Sequence, residues 1–175
     1  MSRILNLGCG SRPLNGAINH DRQQYAPHVD VWWDLEEPYW ATALASQVTK
    51  RQMRGETTWN LLDDKNRFLL FTDIHARDVL EHIRPDLFYQ TMNEIWCLLE
   101  PGGLCHIQVP QYGSLNAVID PTHWHGFHIN SFDYLDPTTR LGKAQWTTDC
   151  RWKIVTKLEM SKTDVNLQFL LKKLS

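Results

Sequence analysis

A short apolar run that breaks at once into glycines, Ile4-Leu5-Asn6-Leu7-Gly8-Cys9-Gly10, constrains this chain more than any other stretch. Ile4, Leu5 and Leu7 read as a buried strand, and Gly8 and Gly10 free the backbone for a sharp turn beside a ligand. In open α/β sheets, the loop at the carboxyl end of a first parallel strand is where nucleotide-like ligands are held. Gly-x-Gly alone is a weak signal, because glycine turns follow many strands. Two downstream acids, Asp21 and Asp34, each close a short strand-like or apolar stretch and strengthen the reading of a ligand site.

A length of 175 residues suits one domain with a sizeable core, and 38–68 reads as an insertion within it rather than a second domain. The net charge of −2 gives no basic surface of the kind that binds nucleic acid. No apolar run approaches the roughly 20 residues of a membrane span. Strand pattern begins close to the first residue, so no signal peptide is expected. The four cysteines lack Cys-x-x-Cys spacing, so reduced thiols in a cytoplasmic protein are expected. Oligomeric state is not legible.

Strand-like and helix-like segments alternate, which predicts a parallel sheet with covering helices. Strands are expected at 3–7, at 17–20 and at 29–33, the last two closed by Asp21 and Asp34. Pro38 opens a helical stretch from Tyr39 to Met53. A buried strand follows over Phe68–Ala76, starting near Leu70. Asp86–Leu99 is the clearest helix, with Asp86 as its cap and Leu87, Phe88, Met92, Ile95, Trp96 and Leu99 as an apolar stripe. Pro101-Gly102-Gly103 ends it and turns the chain into strand Leu104–Val109. Residues 111–130 form an unusually long loop. Trp152–Met160 and Asp164–Lys172, separated by Ser161-Lys162-Thr163, read as a terminal antiparallel hairpin.

In this order the elements resemble a small, type-11-like class I S-adenosylmethionine-dependent methyltransferase. Leu5-Asn6-Leu7-Gly8-Cys9-Gly10 is similar to that family's first motif. Ala76-Arg77-Asp78-Val79-Leu80-Glu81-His82-Ile83 is similar to its fourth-strand segment, and Leu98-Leu99-Glu100-Pro101-Gly102-Gly103-Leu104 to its helix-to-fifth-strand turn. The resemblance implies a Rossmann-like α/β fold: a seven-stranded sheet, six strands parallel and one antiparallel, with helices on both faces. Two departures stand out: Asn6 replaces a frequent acid, and Arg12 replaces a third glycine. Ten residues between Gly10 and Asp21 are too few for a full-length first helix. Pro13, Gly16, Asn19 and Asp21 match the pattern of compact members.

The resemblance assigns S-adenosyl-L-methionine as cofactor and Leu7, Gly8, Cys9, Gly10, Asp21, Asp34, Leu35, Ala76 and Asp78 as its binding residues. Gly8, Cys9 and Gly10 would approach the tail and ribose through backbone groups, and Asp21 would accept both ribose hydroxyls. Asp34, with the Leu35 backbone, would meet the adenine edge, although an acid there also serves as a turn former. Asp78 falls where tail and acceptor meet.

The acceptor side is read from Asp120-Pro121-Thr122-His123-Trp124-His125-Gly126-Phe127-His128, the densest polar and aromatic cluster in the chain. Methyl transfer needs alignment of nucleophile, methyl and sulfur, and a base only if the nucleophile arrives protonated. His123 is the first candidate to orient or deprotonate the acceptor, with Asp78 beside it. His82 is expected to hydrogen-bond within the fold. Asp120, His123, His125 and His128 have the residue types of a metal site, but no further carboxylate or cysteine at a familiar spacing supports one, and no metal is expected. Trp32, Trp33, Trp40 and Trp59 are expected mainly in cores and edges.

A small-molecule or sugar-like acceptor is the expected substrate. No Asp/Asn-Pro-Pro-Tyr/Phe motif follows the fourth strand, which counts against amino methylation of adenine or glutamine. A nicotinamide-dependent oxidoreductase would need a third glycine where Pro13 stands. A non-catalytic relative that binds the cofactor remains a competing reading, on Asn6, Arg12 and the 38–68 stretch. That stretch leaves the sheet beside Asp34 and returns at the fourth strand, so it is expected as a lid or edge layer over the cofactor.

Overall fold

The computed structural model describes residues 2–23, 27–57, 59–144, 150–160 and 166–175. Its seven strands are β1 (Ile4–Leu7), β2 (Ala17–Asp21), β3 (Val31–Trp32), β4 (Phe71–Arg77), β5 (Leu99–Pro110), β6 (Trp152–Glu159) and β7 (Asn166–Lys173). They form one sheet in the order β3-β2-β1-β4-β5-β7-β6. β1 pairs parallel with β2 and β4, β2 with β3, and β4 with β5. β7 runs antiparallel to both β5 and β6, so six strands share one direction. The terminal hairpin and the seven-stranded topology are as expected, while the turn at Ser161-Lys162-Thr163 lies outside the described residues.

Alternation along the strands separates two faces. Leu5, Leu7, Ile18, Ile74, Ala76, Cys105, Ile107 and Val109 point inward and are buried. Against that face lie α1 (Trp40–Met53) and α2 (Phe88–Leu98), together with the 3-10 turn Ser131–Leu135 and the short α4 (Arg140–Ala144) that follows it; α3 is Leu115–Val118. Phe88, Phe127, Phe132 and Phe169 join these elements through ring contacts of 4.5–6.0 Å. The opposite face differs from the two-sided helical cover that the resemblance implies. Among the described residues it carries partly exposed polar groups: Asp73, His75, His106, Gln108 and Gln168, with Arg77 exposed. Two causes are visible. The connection from β1 to β2 is too short for a helix, and the outward residues of β4 and β5 are hydrophilic enough to stay wet.

The 38–68 stretch supplies a helix at the β3 edge of the sheet. α1 buries Trp40, Ala41, Leu44 and Val48, spaced at one face of a helix, and packs on β3 and α2. Its first turn is capped from α2, where Glu94 accepts from the Ala41 amide at 3.0 Å. It is a core-covering helix, and none of its described residues lines the cleft at the strand ends.

Local punctuation also differs. Asp86 does not cap α2; it pairs with Arg84, and a 3-10 turn over Pro85–Leu87 leads into the helix. Pro101-Gly102-Gly103 is a bulge inside β5, since Phe71 pairs with Leu99 but Asp73 pairs with Leu104. Lys173 closes the far end of α2, donating to the Trp96 and Leu99 carbonyls at 2.9 and 2.7 Å. Among the described residues no helix is long and apolar enough to cross a membrane.

Truncating Leu44, fully buried on α1, should therefore cost what a core leucine costs. Leu44→Ala is expected to lower unfolding free energy by about 2–5 kcal/mol in urea denaturation. An unchanged midpoint would mark α1 as a loosely docked lid.

Candidate active site

β1 and β4 are neighbours, and their chain connections leave in opposite directions. Such a reversal opens a crevice at the carboxyl ends of the strands. Here the crevice holds a cavity of about 610 Å³, lined from four loop regions.

The first wall is the turn after β1. Gly8 adopts φ +57°, and a Cβ there would stand 2.4 Å from the Val79 Cγ2, so glycine is required by both conformation and space. The Gly10 amide donates to Asp21 Oδ2 at 2.8 Å, and the Gln23 amide donates to Oδ1 at 3.0 Å. Asn6, buried beneath, donates to Asn19 Oδ1 at 2.9 Å and to the Arg12 carbonyl at 3.2 Å, while the Leu14 amide donates to Asn19 Oδ1 at 2.7 Å. A neutral amide suits this place because it must donate; an acid could only accept.

The second wall follows β3. His20 is buried and its Nε2 is 3.0 Å from the Trp33 carbonyl; burial pushes its pKa down to about 4. Asp34 Oδ1 accepts from the Glu36 amide at 3.0 Å, so Asp34 is a turn former as well as a cleft residue. Glu36 in turn accepts from the Arg84 amide at 2.8 Å and ties this loop to the one after β4.

The third wall follows β4. Asp78 has φ +52°, a left-handed conformation that aspartate tolerates better than most residues. Its carboxylate accepts from Arg12 at 2.6 Å and from Gln108 Nε2 at 3.1 Å. In the next turn, Leu80–His82, Glu81 is 1 % exposed and its Oε2 has no hydrogen-bond partner among the described residues. Burial pushes the Glu81 carboxyl up to about 8.

The fourth wall is the loop after β5, folded back over that turn. The Trp124 amide donates to the Glu81 carbonyl at 2.9 Å. His82 Nδ1 and Thr122 Oγ1 are 2.9 Å apart, and the Thr122 hydroxyl donates to Asp120 Oδ1 at 2.7 Å. His123 Nε2 stands 4.0 Å from both Glu81 Oε1 and Asp120 Oδ2, its ring edge-on to His82 with centroids 4.6 Å apart. Burial, then the neighbouring His123, holds the His82 pKa below its usual value.

Of the residues expected from sequence, Gly8, Gly10, Asp21, Asp34, Leu35, Asp78 and His123 line this one cleft. Leu7, Cys9 and Ala76 do not: they are buried in and beside the strands, and burial with the nearby Asp21 pushes the Cys9 thiol up to about 11. The histidines of 120–128 also separate. His125 packs on Phe127 and His128 turns to its own loop, accepting from the Asn130 amide, so only His123 reaches the cleft. Sequence reasoning passed over Glu81 and gave His82 only a bond within the fold. That bond exists, and His82 lines the cleft as well. Their adjacency to Asp78 was the available signal.

No family model matches the chain, and no curated protein does. Solved structures do. A SAM-dependent methyltransferase from Archaeoglobus fulgidus superposes with a TM-score of 0.57 at 14 % identity, over 98 % of this chain and 86 % of that one. The fold is that of the class I methyltransferases. A 1,6-didemethyltoxoflavin-N1-methyltransferase from Burkholderia thailandensis gives 0.56 at 16 % identity, covering 99 % of this chain and 72 % of its own. The N-methyltransferase NodS from Bradyrhizobium japonicum, in complex with S-adenosyl-L-homocysteine, gives 0.54 at 12 % over 98 % and 78 %.

His20 makes the second wall pH-sensitive. It is neutral in the fold, with a pKa near 4 against an ordinary 6.5, so unfolded chains take up the proton first as pH falls. Its contribution is complete above pH 6.5 and is lost between 6.5 and 4. The stability advantage of the wild type over His20→Asn should shrink across that window by about 3 kcal/mol. Urea denaturation at each pH measures it; a constant difference would mean that His20 is not held neutral.

Proposed function

We propose that this chain is an S-adenosylmethionine-dependent methyltransferase acting on a small-molecule acceptor. The observation that carries the proposal is the convergence of the Gly8–Gly10 turn, Asp21, Asp34-Leu35 and Asp78 on one cleft at the sheet reversal. All three solved structures described above are named as methyltransferases, two of them holding the demethylated cofactor.

In this reading Asp21 receives the ribose hydroxyls with the lone pairs that Gly10 and Gln23 leave free. Asp34 and Leu35 receive the adenine. Arg12 and Asp78 offer a guanidinium and a carboxylate to the two charges of the amino-acid tail. Methyl transfer is then an in-line displacement in which the protein aligns the reactants and excludes water. His123, on the wall facing that tail, orients the acceptor or takes its proton.

Two features support this over the competing readings. Residues 11–16 form no helix, so no helix N-terminus faces a pyrophosphate, which nicotinamide dinucleotides require and S-adenosylmethionine lacks. Asn6, Arg12 and the 38–68 stretch, which left a non-catalytic relative open, each have work in the fold: an amide staple, an ion pair and a core helix.

Isothermal titration with S-adenosylmethionine and with NAD tests the reading; binding of NAD alone would overturn it. Asp21→Ala should weaken S-adenosylhomocysteine binding by about 1–3 kcal/mol. Asp21→Asn, which keeps an acceptor for the Gly10 amide, separates ligand contact from loop support. Once an acceptor is found, His123→Ala should leave cofactor affinity within about threefold and lower turnover roughly 10²–10⁴-fold. Full turnover would remove His123 from the mechanism.

A further inference from the structure

Glu81, His82 and His123 lie on two segments of chain forty residues apart, and the folding back of the loop after β5 brings them to one corner of the cleft. One donor atom from each lies within 4.8 Å of the others. The geometry points to a divalent transition-metal site at Glu81, His82 and His123, a set that shares only His123 with the Asp120, His123, His125 and His128 candidates of the sequence.

Three observations carry it. First, a carboxylate only 1 % exposed is costly unless it is paired or coordinated, and Glu81 Oε2 has no partner among the described residues. The His123 side chain is 10 % exposed and its Nδ1 is likewise unpartnered. Second, the 4.0 Å between Glu81 Oε1 and His123 Nε2 is too long for a hydrogen bond. Donors about 2.1 Å from one ion lie roughly 3–4 Å apart, so a small adjustment of side-chain torsions suffices. Third, His82 is already set as a ligand. The single Thr122 hydroxyl proton goes to Asp120, so toward His82 that oxygen can only accept. Nδ1 therefore carries the proton and Nε2 the free lone pair, in the outer-shell arrangement that orients metal-bound imidazoles.

Two imidazoles and one carboxylate suit zinc, cobalt or ferrous iron better than calcium or magnesium. Three protein ligands leave a position open to the cleft. Under the methyltransferase reading, on which this role rests, that position takes an acceptor hydroxyl. The bound oxygen releases its proton to water, and its lone pair forms the O–C bond to the methyl. The C–S bond breaks with both electrons going to sulfur, leaving a neutral thioether. The acceptor class is then a hydroxyl compound, and His123 acts on it through the ion.

Cobalt(II) titrated into the full chain, followed by visible absorption and by equilibrium dialysis, tests the site. One ion per chain is expected, with affinity at least about 100-fold weaker in Glu81→Gln and in His123→Ala, and about 10–100-fold weaker in Thr122→Val. Circular dichroism of the metal-free variants shows whether each is folded; if Glu81→Gln is not, His123→Ala and Thr122→Val decide. Less than half an ion per chain, or undiminished binding in folded His123→Ala, overturns the site. S-adenosylhomocysteine titrated in parallel separates the two readings. Cobalt binding without it keeps the metal site and removes the methyltransferase, and the reverse result removes the metal site alone.

Discussion

The close approach of the Gly8 backbone to Val79 is the constraint on which the rest of the site depends. It brings the turn after β1 against the segment after β4, where a side chain at position 8 would force them apart. Because they touch, Arg12 can reach Asp78, and the Gly10 amide can point at the end of β2. A cleft at a sheet reversal follows from strand order alone; its narrow floor follows from this contact.

The chain reaches that arrangement without the helix that would ordinarily follow the glycine turn. Asn6 and Asn19 take its place, spending their amide donors and acceptors on the backbone of the loop between them. Buried amides of this kind define one loop conformation, because any other leaves polar groups unpaired in the interior. The same economy leaves one sheet face wet, with His75 and His106 stacked at 4.3 Å in place of a helical layer.

What was legible in the sequence followed from local rules. β1, the glycine turn, α2 and the terminal hairpin announce themselves by periodicity and by glycine. β2 is a poor strand by composition and was found mainly because Asp21 closes it; β3, two residues long, was legible from the apolar alternation of Val29–Trp33 that Asp34 closes. α1 was legible as a helix but not as core. Its amphipathic stripe says that one face is buried, and it does not say against what. Asp86 and Pro101-Gly102-Gly103 misled for a related reason: Arg84 competes for the first, and the β4 ladder absorbs the second as a bulge.

The candidate site divides along the same line. Gly8, Gly10, Asp21, Asp34 and Asp78 stand at strand ends, and strand ends in a parallel sheet converge wherever the topology takes the chain, so the sequence by itself determined them. Leu7, Cys9 and Ala76 share those motifs, yet alternation turns Leu7 and Ala76 into the core and the turn after β1 buries Cys9 beside it. The meeting of Glu81 and His82 with His123, and the parting of His123 from His125 and His128, was decided by tertiary structure alone. Spacing within a segment specifies which residues share a face. Contact between segments depends on how a long loop folds back, here through the Trp124 amide on the Glu81 carbonyl and the Thr122 hydroxyl beside His82, bonds that no local pattern encodes.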